Sequence, residues 1–244
     1  MPRTKNKLKL KFNVIDHSSV PFADRTEAGC LLAQQLIYLR DKEPVVLGIP
    51  RGGIIVATAT ASKLRAQLDI VLARKLGAPN QPELAMGALA EDGTVFLNQD
   101  IVKAIAVTKL DVEREKARQM KEIQRRTQLI RSVLPKTPLK DRIVVITDDG
   151  VATGATMQAA LWAVRQESPQ RLIAAIPVAS HDALRKLSAD ADELICLRQP
   201  PVFYAVGQFY ERFDQVEDAE IMRILKLEAR RRKNRPVSRT SIHE

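Results

Sequence analysis

Between Thr26 and Arg40, Ala28, Leu31, Leu32, Leu36 and Leu39 recur at helical spacing, and the pattern predicts a helix with one apolar face. Pro44 to Ile49 is apolar without alternation and ends in Pro50-Arg51-Gly52-Gly53, which reads as a buried strand closing in a tight turn. Ile54 to Leu64, rich in small apolar residues, has the length of a helix, and Asp69 to Ala73 reads as a second buried strand. Strand, helix and strand with no polar alternation are the mark of parallel strands covered on both faces.

The pattern then pauses. Residues 74–83, with Gly77, Pro79, Asn80 and Pro82, read as a loop. Met86 to Ala90 and Thr94 to Leu97 flank Glu91-Asp92-Gly93 as a hairpin with an Asp-Gly turn. From Asp100 to Leu134 the chain reads as one charged helix, with Leu110, Ala117, Met120, Ile123, Thr127, Ile130 and Leu134 in a narrow stripe that docks on the body. Pro135 and Pro138 end it. The earlier pattern resumes with a strand over Arg142 to Thr147, a helix over Ala155 to Gln166 and a strand over Arg171 to Val178. A helix over His181 to Leu187 and a short strand over Leu194 to Leu197 follow. The expected fold is α/β: a doubly wound, mainly parallel sheet over residues 21–229, a helical insertion at about 78–138 and an aromatic C-terminal lobe. Trp162, inside a helix, is expected in the core.

Composition narrows the class. Over 244 residues, 45% are apolar and 28% charged, as in globular proteins, and no apolar run approaches the roughly 18 residues that span a bilayer. The start, MPRTKNKLKLKF, lacks the apolar stretch of a secretory signal, and two cysteines, Cys30 and Cys196, are too few for a disulfide framework. A cytoplasmic protein without membrane association is expected. The net charge of +10 sits at the ends: residues 1–11 and 230–244 each carry +5, and residues 12–229 sum to zero. The expectation is a basic extension over 1–20 and a basic tail over 230–244. Such ends gather anions or nucleic acid, although frayed, solvated termini are the reading preferred here.

The chemistry gathers in Ile143 to Thr156. A buried strand delivers Asp148 and Asp149 to its carboxyl end, where open α/β sheets bind ligands. A loop of small residues follows, and a helix begins. Gly150, Ala152, Gly154 and Ala155 let backbone N–H groups approach a phosphate, Thr153 and Thr156 add hydroxyls, and the helix adds its positive end. Two carboxylates beside a phosphate need hydroxyls or a cation to meet them; a sugar diol and Mg²⁺ supply both. The loop therefore reads as a sugar-phosphate site. A nucleoside-triphosphate loop would need Lys after Gly154, and Gly48 to Gly53 has the wrong spacing for a dinucleotide fingerprint. His17, His181 and His243 lie far apart with no zinc-ligand spacing, and no nucleophilic triad is evident.

Ile143 to Thr156 resembles the signature of the type I phosphoribosyltransferases, which bind 5-phosphoribosyl 1-pyrophosphate (PRPP), and the resemblance extends over Pro44 to Leu197. It implies that Asp148 and Asp149 hold the ribose hydroxyls and that Gly150, Val151, Ala152, Thr153, Gly154, Ala155 and Thr156 wrap the 5′-phosphate. Arg51, Gly52 and Gly53 would cradle pyrophosphate, and Arg74 and Lys75 would open a mobile catalytic loop. No all-protein metal cage is implied: Mg²⁺ would come with the substrate, through Asp148 or Asp149. The C-terminal lobe, about 198–220, would be the hood over the acceptor. Phe203 and Tyr204 there are candidates for a base pocket, with a small satellite core as the equal alternative. Two positions depart from the family pattern, Thr147 and Gly150, where aliphatic residues are usual. The inserted hairpin and helix also leave open which residues close over the site. Taken together, these segments resemble a group of stand-alone bacterial phosphoribosyltransferases of unassigned substrate.

The implied activity is Mg²⁺-dependent transfer of phosphoribosyl from PRPP to a nucleobase-like acceptor, in a family where homodimers are common. The alternative is a PRPP-sensing regulator of the same fold that binds RNA or DNA, motivated by the basic ends and by nine basic against four acidic residues over Lys103 to Arg131.

Overall fold

Val144, Val145 and Ile146 are all buried, yet they face opposite ways: Val145 packs into one hydrophobic cluster, Val144 and Ile146 into another. A strand with both faces covered has no use for polar alternation, which is why these runs are continuously apolar.

The structure is a computed structural model that describes residues 12–79 and 81–234; most of the two basic ends therefore lies outside the described residues. In chain order the first elements are β1 (Phe12–Asp16), α1 (Arg25–Gln35), β2 (Val45–Gly48), α2 (Gly53–Leu64) and β3 (Gln67–Ile70). The insertion follows as β4 (Ala73–Ala78), β5 (Gln81–Ala90), β6 (Val95–Leu97), α3 (Gln99–Ala104) and α4 (Lys109–Arg131). Then come β7 (Ile143–Thr147), α5 (Ala155–Arg165), β8 (Arg171–Val178), α6 (His181–Leu187), β9 (Glu193–Arg198) and α7 (Asp218–Lys233). Six strands form a wholly parallel sheet in the order β1-β9-β8-β7-β2-β3. Residues of α1, α2 and α7 fill the cluster on one face, and residues of α5 and α6 fill the other. No helix among the described residues is long and apolar enough to cross a membrane. Cys30 and Cys196 are free thiols, and Trp162 is buried, its indole donating to Asp190 at 2.8 Å.

Five expectations need correction. The N-terminal extension contains β1, an edge strand paired with β9 from Phe12↔Leu194 to Asp16↔Arg198. Only Phe12 and Val14 reach the core, so its two-residue signal is hidden beside a run of lysines. The expected strand at Asp69–Ala73 is split, with β3 ending at Ile70 and β4 beginning at Ala73 in a separate antiparallel sheet, β4-β5-β6. Residues 74–83, expected as a loop, lie largely in β4 and β5. Gly77 and Pro82 mark a break in register there, between Leu76 and Ala78, rather than the end of the strands. The long helix is two helices. The chain turns at Ala106 (φ 50°), and α4 restarts from a capping box in which Thr108 Oγ1 accepts from Asp111 N at 3.2 Å and Thr108 N donates to Asp111 Oδ2 at 3.0 Å. Its buried stripe begins at Val112; Leu110 is 58% exposed. Finally, α7 runs into the expected basic tail. Arg231 and Arg232 pair with buried Glu228 at 2.7 and 3.2 Å, and so belong to the body.

The insertion is tied down by buried charge. Asp69, 1% exposed, accepts from Arg131 Nη1 at 2.8 Å and from the backbone N–H of Thr137 and Ile70, each at 2.7 Å. Arg131 also meets Glu91 at 2.9 Å, Lys136 joins Glu91 to Glu167, and Arg232 stands 3.7 Å from Asp69.

Candidate active site

Strand order places the site. After β2 the chain moves to the outer neighbour β3; after β7 it moves the other way, to β8 and β9. The crevice between the carboxyl ends of β2 and β7 is therefore the topological switch point, where α/β sheets bind ligands. Ile49 N donates to Thr147 O at 3.0 Å and locks the two strand ends together. Beyond them stand Pro50 to Gly53 on one side and Asp148-Asp149 on the other. The peptide joining Pro50 to Arg51 is cis.

These two segments touch. A β-carbon on Gly52 would collide with the Asp149 carboxylate, and one on Gly53 would fall 2.8 Å from the Asp148 Cα. Both positions require glycine because the turn lies directly against the acid pair. Asp148 Oδ1 accepts from Asp149 N at 2.9 Å. Asp149 Oδ2 accepts from Arg25 Nε at 2.8 Å, and its carbonyl accepts from the Tyr210 hydroxyl. Arg25 Nη1 also donates to Asp214 O at 2.8 Å, with its guanidinium 3.9 Å from the centre of the Phe213 ring. Burial, reinforced by the charge of Asp149, pushes the Asp148 carboxyl well above the usual carboxylate range. Burial, with the same neighbouring charge, raises the Tyr210 phenol, which stays protonated and donates.

The loop after the acid pair is anchored at one end and open at the other. Val151 N donates to Val178 O at 2.9 Å and its side chain is buried, so Val151 holds the loop to the sheet and has no N–H to offer a phosphate. Ala152, Thr153 and Thr156 are exposed. Gly150 explains one departure from the family pattern, since a β-carbon there would fall 2.5 Å from Val206 Cγ1 of the hood. Thr147, the other, is buried, its hydroxyl 3.3 Å from Asp148 O. The helices at the crevice, α2 and α5, begin at Gly52 and Gly154 with no side-chain cap, as does α7. In contrast, α1, α3, α4 and α6 are capped by Asp24, Asn98, Thr108 and Ser180. In α2 the N–H groups of Ile54 and Ile55 are taken by Arg51 O and Gly52 O at 3.3 and 3.1 Å, whereas the start of α5 meets an anion with no side chain competing for its first-turn N–H groups.

The cations expected around pyrophosphate are dispersed. Arg51 leans toward α7, its Nε 3.3 Å from Asp218 Oδ1. Arg74 and Lys75, expected at the start of a mobile loop, lie in β4 opposite Leu89 and Ala88 of β5. Arg74 is paired with Glu122 of α4 at 3.0 Å. A cavity of about 80 Å³ connects these parts, lined by Pro50, Arg74, Arg126 and Thr156 among others. In the hood, Phe203 packs on Phe209 with ring centres 5.0 Å apart, whereas Tyr204 is 86% exposed. The aromatic side chains that reach the acid pair are Tyr210 and, through Arg25, Phe213. Sequence reasoning named neither in that role, nor Arg25, whose partner lies 124 residues away.

No group of three or more His, Cys, Asp or Glu among the described residues could hold a metal alone. Two adjacent carboxylates at a phosphate loop nevertheless fit Mg²⁺, which takes one or two protein oxygens and completes its shell with water and substrate phosphates.

Residues 27–214 match the phosphoribosyl transferase domain family. Rv0571c of Mycobacterium tuberculosis H37Rv, which its name assigns provisionally to the phosphoribosyl transferases, is 43% identical over 204 residues, 84% of this chain and 46% of the relative. MT0597, from strain CDC 1551, matches to the same extent. The chain thus spans about half the length of the curated relatives it matches. The crystal structure of TT1426 from Thermus thermophilus aligns with a TM-score of 0.81 at 45% identity, covering 85% of this chain and 99% of that one.

Proposed function

The chain belongs to the phosphoribosyl transferase domain family, and from that premise we propose that it is a cytoplasmic, Mg²⁺-dependent enzyme moving the phosphoribosyl group of PRPP to a nucleobase or similar heterocycle. One observation carries the proposal: the carboxylates of Asp148 and Asp149 stand at the switch point directly against the Gly52-Gly53 turn, on the loop that leads into the uncapped start of α5.

In this reading a ring nitrogen of the acceptor forms a bond to the anomeric carbon as the bond to the pyrophosphate oxygen breaks; the electron pair leaves with pyrophosphate, and the proton the heterocycle carried is released to water. The anomeric centre gains positive charge on the way, as in glycoside chemistry. Asp148 and Asp149 accept hydrogen bonds from the ribose hydroxyls and lend negative charge to that centre. Arg25 and Tyr210 hold Asp149 in place. N–H groups of Gly150 and of Ala152 to Thr156, with the threonine hydroxyls, grip the 5′-phosphate. Arg51, the N–H groups of Gly52 and Gly53, Arg74 and Lys75 receive the pyrophosphate. Asp148 or Asp149, together with substrate oxygens, would hold Mg²⁺, which would supply charge neutralisation on the leaving group. Phe203 and Tyr204 face the acceptor from the hood, whose Val206 reaches Gly150. Catalysis then rests on positioning and on prearranged charge.

The test is pyrophosphate release from PRPP and Mg²⁺ across a panel of purines and pyrimidines, with Asp148→Asn/Asp149→Asn as the blank. Release with one base and none in the blank is expected. Equal release in both proteins contradicts the proposal.

A further inference from the structure

Glu122 on α4 holds three guanidinium groups: Arg126 Nε at 2.7 Å, Arg74 Nη2 at 3.0 Å and Arg125 Nη2 at 3.5 Å. One carboxylate against three cations leaves a local surplus of two positive charges. Two of the three, Arg74 and Arg126, line the cavity bounded by Pro50 of the glycine turn and by Thr156 in the first turn of α5. The cavity is thus shared by the two segments that flank the acid pair and by the insertion. Arg126 also lines an adjoining groove with Pro50, Arg125 and Asp218. Arginine clusters with unspent fork geometry suit phosphate oxygens, which they bind in bidentate fashion. Burial, together with the charge of Arg126, disfavours the charged form of the Arg74 guanidinium, as expected where cations crowd without enough counter-charge.

We propose that Arg126, carried in by the insertion helix, completes with Arg74 the subsite for the leaving pyrophosphate, and that the Glu122 carboxylate is the internal anion that pyrophosphate displaces. The inference rests on the transferase reading above, and it gives the insertion a task at the site: α4, capped at its start and packed on β4 with Ile123 buried, supplies a cation. Glu122 keeps the arginines arranged while no phosphate is present. A ligand carrying several negative charges then outcompetes it for the same forks.

Titration calorimetry on the full chain, with inorganic pyrophosphate plus Mg²⁺ and, separately, ribose 5-phosphate, tests this. Arg126→Ala is expected to weaken pyrophosphate binding about ten- to a hundredfold, the weight of a lost charge-assisted contact, and to leave ribose 5-phosphate binding unchanged. Glu122→Gln is expected to tighten pyrophosphate binding severalfold. Unchanged pyrophosphate affinity in Arg126→Ala, or an equal loss for both ligands, overturns the role of Arg126. Unchanged or weaker pyrophosphate binding in Glu122→Gln overturns the displacement. A native chain that binds neither ligand sinks the transferase reading itself. A native chain that binds both, with Arg126→Ala indistinguishable from it, sinks this inference alone.

Discussion

Asp69 and Asp148 are carboxylates drawn out of water near the carboxyl ends of two strands of one sheet, and they keep opposite company. Asp69 lies against Arg131 and Arg232 and accepts two backbone N–H groups, so its charge is met on every side. Asp148 lies against Asp149, and the cation that reaches the pair, Arg25, is engaged by Asp149 and the Asp214 carbonyl. The first arrangement fastens the insertion and α7 to the body. The second works against the fold, and a protein keeps such an arrangement where a ligand is to relieve it.

The comparison breaks most directly by mutation. Asp148→Asn/Asp149→Asn is expected to lower pyrophosphate release by more than about a thousandfold, while in Asp148→Asn alone, where Asp149 keeps its Arg25 partner, the urea midpoint stays the same or rises. A large fall in stability would place the pair in the same class as Asp69. Asp69→Ala should do the reverse, costing about 3–5 kcal/mol in urea unfolding because Arg131 keeps only Glu91 and the N–H groups of Thr137 and Ile70 lose their buried acceptor. Turnover at saturating substrate should be largely kept under folding conditions. Gly150→Ala pushes a methyl group into Val206 and should cost about 1–3 kcal/mol, with part of the loss recovered in Gly150→Ala/Val206→Ala.

A finer contrast comes from pH. With its folded pKa raised, Asp148 binds its proton more tightly in the native state than in the unfolded chain. Its contribution to stability is therefore present at low pH and is lost as pH rises above the ordinary carboxylate range, near about 4. Unfolding midpoints followed upward from pH 4 should drift down in the wild type relative to Asp148→Asn; parallel curves would contradict the assignment. The smallest effect is expected at Tyr204, whose exposed ring should change stability by less than about 0.5 kcal/mol when replaced by Ala, and should act only on acceptor KM.

What could be read in the sequence divides along similar lines. The strand at Ile143–Thr147, the acid pair and the helix at His181–Leu187 carry their own local signals: an unbroken apolar run, two adjacent aspartates and a serine cap. The break between α3 and α4 was also written locally, in Thr108 and Asp111, but a long charged helical pattern masks a four-residue gap. The edge strand β1 offers two half-buried residues, too few for a periodicity. Arg25, Tyr210 and the distant partners of Asp69 (Arg131, Thr137 and Arg232) gave no local signal at all, because each acts through a residue more than 60 positions away. Even the glycine at 150, a departure from the family pattern in sequence, makes sense only once Val206 is seen against it.

The central claim is that the acid pair serves a ligand. Equilibrium binding of PRPP with Mg²⁺ to the native chain and to Asp148→Asn/Asp149→Asn, with both proteins shown to be equally folded, tests it most directly. Binding by the native chain and none by the equally stable variant is the predicted result. Equal affinity in the two proteins would contradict it.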